Sequence, residues 1–269
     1  QRAWIDFAAR ACTDDAKPKT SGRYDADGIA CLGNLFRQRA ASLRDIGPIG
    51  GSAVYAAESF DVTRDPDPES WSKVALTEVS IAQLDASGPE AEAINAFARS
   101  LATSSGVPAD FGDGKGTVDY SQKIALQALT PQRAGFAINE DLYAHGAAHG
   151  MYVITFANWL RGPARPLAAE DVFVGRDWAL ELKPLIIARL KQMAASEFDD
   201  AEAIWPDLEG LEEQIASPER WDIGEDGIGF QFQPYEVTAY AYGAPQAEMS
   251  WDELAPWLQR SAQTLLLGE

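Results

Sequence analysis

Two histidines, a knot of tyrosines and two cysteines are the side chains whose types and spacing could do chemistry in this sequence. His145 and His149 are the only histidines and stand four apart. On a helix that spacing would put both on one face, as zinc ligands often are. Gly146 and Gly150 and the β-rich flanks argue instead for a turn, and no third ligand is identifiable where a catalytic zinc needs three. His149 is expected to be structural, with a ring N–H bonded to backbone. Residues 110–116 are calcium-loop-like in their Asp and Gly content but lack the spaced oxygen ligands and terminal Glu. No Gly-x-Ser-x-Gly is present to raise a nucleophile. Among 41 acidic residues no pair of carboxylates stands out as glycosidic machinery. The expectation is a non-catalytic protein with no cofactor and no metal.

The tyrosines are more informative. Residues 226–243 read DGIGFQFQPYEVTAYAYG. After a turn-prone Asp226-Gly227, Ile228, Phe230 and Phe232 fall on one face, and Gly229, Gln231 and Gln233 on the other. Alternation with aromatic and β-branched residues is the mark of a strand with one buried face. Pro234 has no N–H to give and should stop the ladder. Tyr235, Glu236, Tyr240, Tyr242 and Gly243 then make a short aromatic loop. A strand that delivers such a loop is a common way to build a recognition surface. The plainer alternative is that the rings complete a core with only their hydroxyls at the surface.

The elements that must position these residues follow from periodicity. Residues 1–10 and 28–46 read as two helices; Trp4, Ile5 and Ala8 share one face of the first, and Leu32, Leu35, Phe36 and Leu43 are assigned to one face of the second. Residues 47–51, Gly-Pro-Ile-Gly-Gly, are a linker by composition. Strands are expected at 54–62 and 74–84 around an Asp-Pro-Asp-Pro turn, and at 117–129, 136–143 and 151–159. Ser87 should cap a helix carrying Ile94, Phe97, Ala98 and Leu101. An amphipathic helix covers 179–195, with Pro184 in its early turns, and short helices fill 197–221. A last helix, 250–267, opens with a Ser250/Glu253 capping box. Residues 227–233 are expected to join the other strands in one largely antiparallel sheet. The fold class is α+β: a helical hairpin over 1–47, then a two-layer domain over 52–269 with helices to one side of the sheet.

Cys12 and Cys31 are the only cysteines. In a cytosolic chain they would read as buried thiols. In an exported one they would close a loop of about 19 residues and stabilise by roughly 3 kcal/mol. The Lys, Pro, Ser, Gly and Asp between them favour the bridge, and with it an oxidising, periplasmic or otherwise exported setting. No apolar run approaches the ~20 residues of a membrane span. Gln1 falls within what reads as a helix, which suggests that a leader or anchor has been removed. The net charge of −19 is unevenly spread: residues 1–51 carry +2, and residues 197–253 hold sixteen acids against a single base, Arg220. Nucleic acid and anionic membranes are poor partners for such a surface; a cationic protein is a good one.

Two stretches resemble known families. The run DGI-x-F-x-F-x-PYE-V-x-x-YA-x-G followed by Ser-Trp-Asp-Glu-Leu is similar to the C-terminal domain shared by the lysozyme-sensing anti-sigma factor RsiV and the peptidoglycan deacetylase PdaC. The element Tyr143-Ala144-His145-Gly146-Ala147-Ala148-His149-Gly150 resembles that family's second signature, with Ala147 where Gly is usual, and Asp171-Val172-Phe173 matches its Asp-Leu-Phe. The likeness spans roughly 52–269. Residues 1–45, with Gln1-Arg2-Ala3-Trp4, Phe7, Cys12, Cys31 and Arg37-Gln38-Arg39-Ala40, resemble the second half of an LprI-type lysozyme-inhibitor domain.

Both resemblances imply recognition of a lysozyme, a cationic protein that an acidic partner would attract. The loop formed by Pro234, Tyr235, Glu236, Tyr240, Tyr242 and Gly243, assisted by His149, is the expected contact surface. A peptidoglycan-binding envelope module using the same aromatics is the alternative, and a metal-dependent envelope hydrolase at His145/His149 a second.

Overall fold

In a computed structural model, the structure describes residues 2–14, 23–44, 47–65, 73–102, 118–197, 200, 202–206 and 208–268. The Asp-Pro-Asp-Pro turn beyond Asp65 and the calcium-like loop lie outside these residues. Two compact units emerge: Gln1–Ile124 with Glu140–Met151, and Ala125–Asn139 with Tyr152–Glu269. The class is α+β, with N-terminal helices followed by a six-stranded, mostly antiparallel sheet and helices on one side.

In the first unit, α1 (Arg2–Ala9) passes into a π-turn, Arg10–Asp14, and α2 spans Ala26–Arg44. The Cys12–Cys31 disulfide joins them, with Cα atoms 5.5 Å apart. Trp4, Phe7, Ala8 and Ala11 bury themselves against Val62 and Val74, with Leu32 and Leu35 packed alongside. Phe36 and Leu43, assigned to that same apolar face, are instead exposed, as is Ile5. Phe36 still meets the edge of Trp4 with ring centroids 4.8 Å apart. Arg39 extends over the Trp4 and Phe60 rings and pairs with Glu58.

The linker becomes a tight turn in which Ile49 and Ser52 exchange two backbone hydrogen bonds of 3.0 Å. β1 (Val54–Arg64) and β2 (Val74–Leu84) then pair antiparallel, Val54 opposite Leu84 and Arg64 opposite Val74. α3 (Pro89–Ser100) is capped by Gly88 and not by Ser87; no side chain caps it. β3 (Val118–Leu129) returns parallel to β2, with Thr77 opposite Tyr120. β4 (Arg133–Ala144), β5 (Met151–Leu160) and β6 (Arg165–Pro166) complete the sheet, whose order is that of the chain.

The second unit holds the larger core. α5 (Trp178–Glu197) follows the one-turn α4 (Ala169–Val172) and runs through Pro184. Its Leu182, Ile186 and Leu190 are fully buried with Phe173, Trp221, Phe230 and Phe232. Phe173 stacks on Trp178 at 3.8 Å, and Trp221 meets both rings edge-on. After α6 (Leu211–Ala216) come β7 (Trp221–Ile223), β8 (Gly227–Gln231) and β9 (Gln246–Ser250).

These last strands form a separate three-stranded sheet, so the alternating stretch does not join the six-stranded one as expected. Its apolar face is satisfied locally: β9 pairs with β8 from Gln246–Gln231 to Ser250–Gly227, and its Ala247 and Met249 are buried beside Phe230 and Ile228. The closing helix is likewise not continuous. The Ser250/Glu253 capping box is present and starts α7 (Trp251–Leu254). Pro256 then leaves only a 3-10 turn, Ala255–Trp257, before α8 (Ala262–Leu267); proline disfavours helix at the residue before it and donates no N–H.

Arg133 secures this end of the unit. It is buried, donating from Nε to Leu266 O (3.0 Å) and from Nη1 to Asn158 Oδ1 (2.6 Å). Burial lowers its pKa to about 10, with nearby Asp222 opposing the shift. Among the described residues no helix is long and apolar enough to cross a membrane.

Candidate functional site

The chain leaves β8 through Phe232, whose N–H still reaches Pro245 O at 2.9 Å, and then turns sharply. Glu236 N–H closes the turn on Gln233 O at 3.1 Å, with Pro234 second and Tyr235 third. Tyr235 has φ +69°. Proline followed by a positive φ is the type II pattern, whose third position is normally Gly or Asn because a Cβ is crowded there. A bulky ring in that conformation is held only where its surroundings over-determine it, and such positions concentrate at functional sites.

The supports are specific. The Gln233 side-chain amide pairs with the Ile154 backbone twice: Oε1 accepts from Ile154 N (2.8 Å), and Nε2 donates to Ile154 O (2.6 Å). Glu236 accepts from Gln233 N at 2.6 Å and takes two hydrogen bonds from Arg220, at 2.7 and 3.1 Å. Val237 is fully buried, and Thr238 donates to Ala203 O at 2.7 Å. Pro234 is buried, whereas Tyr235 is 47% exposed. The turn is therefore a clamped base with one ring outside.

Tyr235 has company. Its ring lies 5.5 Å from that of Tyr240, which in turn meets Tyr152 of β5 at 6.2 Å. Gly243 closes the segment at φ +77°, and a Cβ there would stand 3.1 Å from the Tyr152 hydroxyl. Glycine is thus required twice over, by conformation and by the approach of Tyr152. Tyr242 faces elsewhere. It packs on the core and donates to Asp200 Oδ2 at 2.9 Å, and that hydrogen bond raises its pKa. Of the three phenols read together in sequence, Tyr235 and Tyr240 share a patch and Tyr242 does not belong to it.

Tyr152 was not singled out by the sequence, and Gln233 and Arg220 stood out there only for strand alternation and for charge, not as supports of the turn. Gln231 and Gln233 gave the one usable signal: two amides on the non-apolar face of a strand that are in fact buried. A buried amide must find partners, and both find backbone.

The histidine turn belongs to the first unit. Gly146 takes the left-handed position, φ +90°, and Ala147 is not among the positive-φ residues, so an alanine there costs nothing in conformation. His149 is exposed, with Nδ1 2.8 Å from Gly150 O, the expected ring-to-backbone bond. His145 is the buried one. Its Nδ1 lies 3.4 Å from Asp65 Oδ2, and its Nε2 3.2 Å from Asp119 Oδ1. Among the described residues no group of three or more His, Cys, Asp or Glu is arranged to hold a metal. A second acidic group lies on the same sheet. Burial first, and then Glu58 and Asp119, push the Glu78 carboxyl up, with Arg39 opposing.

No curated protein matches the chain. Two crystal structures of DUF3298 family proteins share its fold. One, from Bacteroides fragilis, is 18% identical with a TM-score of 0.60, over 83% of this chain and 100% of its own. The other, from Pseudomonas aeruginosa, is 15% identical with a TM-score of 0.57, over 81% of this chain and 97% of its own. Residues 170–252, which include α5, the three-stranded sheet and the Tyr235 turn, match the family described as "Protein of unknown function (DUF3298)".

Proposed function

We propose that this is an exported, non-catalytic binding protein that recognises a lysozyme and inhibits it by presenting the Pro234–Tyr235 turn. The observation that carries the reading is Tyr235 itself: an exposed aromatic ring at a strained φ on a turn clamped from Gln233, Glu236 and Thr238. Strain of about 1–3 kcal/mol at a ring that stays largely at the surface is what pre-organisation of a contact residue would account for.

Charge supports the choice of partner. Lysozyme cleaves between two carboxylates in a cleft, and animal lysozymes are cationic. An acidic protein is steered toward such a target. What enters the cleft should be an uncharged hydrogen-bonding group, since carboxylate against carboxylate is repulsive. Tyr235 and Tyr240 meet that requirement, and Glu236, the nearest acid in the turn, is occupied by Arg220. The resemblances to the RsiV and PdaC domain and to the LprI-type hairpin support the same partner. The Cys12–Cys31 bridge supports an oxidising, periplasmic setting.

The test is lysis of a bacterial-wall suspension by purified lysozyme, followed by turbidity. Inhibition that saturates near one protein per lysozyme is expected. Unimpaired lysis at large molar excess, with no complex on size exclusion, removes the reading. Sedimentation with insoluble murein at high salt would point to the glycan-binding alternative instead.

A further inference from the structure

The Tyr235 turn has a neighbour that the sequence did not mark. Trp205 N–H donates to Val237 O at 3.0 Å, and two residues earlier Ala203 O accepts from the Thr238 hydroxyl. The segment around Trp205 is thereby stitched to the residues just after the turn. Ala203 and Ile204 are buried in the core, so the segment is anchored, while Trp205 itself is 38% exposed. Trp205 thus presents a partly exposed indole on a segment whose backbone is bonded to the residues just after the Tyr235 turn, and an aromatic ring with an apolar body and a polar tip is suited to such a position.

The sequence around it is one-sided in charge. Asp200, Glu202, Glu209, Glu212 and Glu213 fall within the same stretch of sequence, and residues 200–213 contain no Lys or Arg. Glu202 and Glu209 are exposed. Lys183 of α5 pairs with Glu212, whose carboxyl is held below its ordinary value mainly by that hydrogen bond. An electron-rich ring face in a negative field is a place where a guanidinium or ammonium group binds by cation–π contact reinforced by carboxylates. Large aromatic residues in anchored positions are also where interface energy concentrates.

We infer that Trp205 is a second anchor of the binding face, taking an arginine or lysine side chain of the cationic partner while Tyr235 enters the groove. This rests on the proposed lysozyme reading and adds a residue, a contact chemistry and a charge requirement to it. Tyr235 supplies a neutral donor and ring; Trp205 with Glu202 supplies the site for positive charge. Two points of attachment of different chemistry define an orientation, which one aromatic residue cannot do.

The experiment is a titration of a purified animal lysozyme against the full chain and four variants, Tyr235→Ala among them, at low and high salt, with thermal melts of each. Trp205→Ala is expected to weaken binding about tenfold or more. Trp205→Phe should recover part of that, since the ring face remains. Glu202→Lys is expected to weaken binding at low salt, with the difference shrinking at high salt. If Trp205→Ala binds as tightly as the unaltered protein while Tyr235→Ala does not, Trp205 is no anchor and the turn stands alone. Equal losses for Trp205→Phe and Trp205→Ala, or a Glu202→Lys protein that binds unchanged, also overturn the cation-binding role. Failure of the unaltered protein to bind lysozyme removes the parent reading, a separate outcome.

Discussion

Two turns in this molecule each hold a residue at positive φ, and they use it oppositely. At the histidine turn the left-handed residue is Gly146, where a Cβ would meet nothing within 4 Å. Its purpose is to reverse the chain and let His145 sink between Asp65 and Asp119. At the tyrosine turn the same kind of conformation is forced on Tyr235, and the ring is left at the surface. The first turn is comfortable and faces inward; the second is strained and faces outward. Strain tolerated at an exposed position, and held there by four side chains, separates a presented residue from a merely structural one.

The contrast can be broken most heavily on the structural side. Replacing both Cys12 and Cys31 by Ser should cost about 3 kcal/mol in urea unfolding of the first unit, from the loop that the bridge closes. Lysozyme binding by the folded protein should be unchanged. His145→Ala is expected to cost about 2 kcal/mol, because it removes the imidazole that the nearly buried Asp65 carboxylate contacts. Here too binding should persist. If instead either change abolishes binding without unfolding the protein, the division of roles between the two turns is wrong.

Smaller changes sharpen the comparison. Gly146→Ala should destabilise by about 1 kcal/mol, since it puts a Cβ at positive φ. Tyr235→Gly should do the reverse, stabilising by up to about 1 kcal/mol while losing most of the binding. A Tyr235→Gly protein that is less stable would mean the ring holds the fold and is not presented by it.

The smallest effect concerns pH. Glu78 has its folded pKa raised, by burial first, so the folded protein holds that proton more tightly than the unfolded chain does. Its contribution to stability is fully present below the ordinary value of 4.5 and is lost as pH rises through the raised one. Glu78→Gln should therefore raise the unfolding midpoint slightly near neutral pH, with the gain disappearing in acid.

Much of this was legible from residue patterns and some was not. The alternation of Ile228, Phe230 and Phe232 announces a strand, but nothing in it says which sheet the strand joins. Its partner β9 carries only Ala247 and Met249 inward, too short a pattern to notice. Pro256 could have divided the last helix in advance, since its effect is local. The burial of His145 could not be foreseen, because Asp65 lies 80 residues away in sequence. Tyr235 is the sharpest case. The Pro234-Tyr235 pair looks like an ordinary turn, and only the backbone angle reveals that a tyrosine stands where glycine is normal. Consistency between local preference and fold tends to fail at functional positions, and a tyrosine in a conformation that favours glycine is such a failure.

Amide hydrogen exchange of the full chain, with and without a saturating animal lysozyme, tests the central claim most directly. The account requires slowed exchange at 202–205 and 233–243, with His149 as the assisting contact. Exchange of the tyrosine turn at the same rate as in the free protein, at saturating lysozyme, would contradict it.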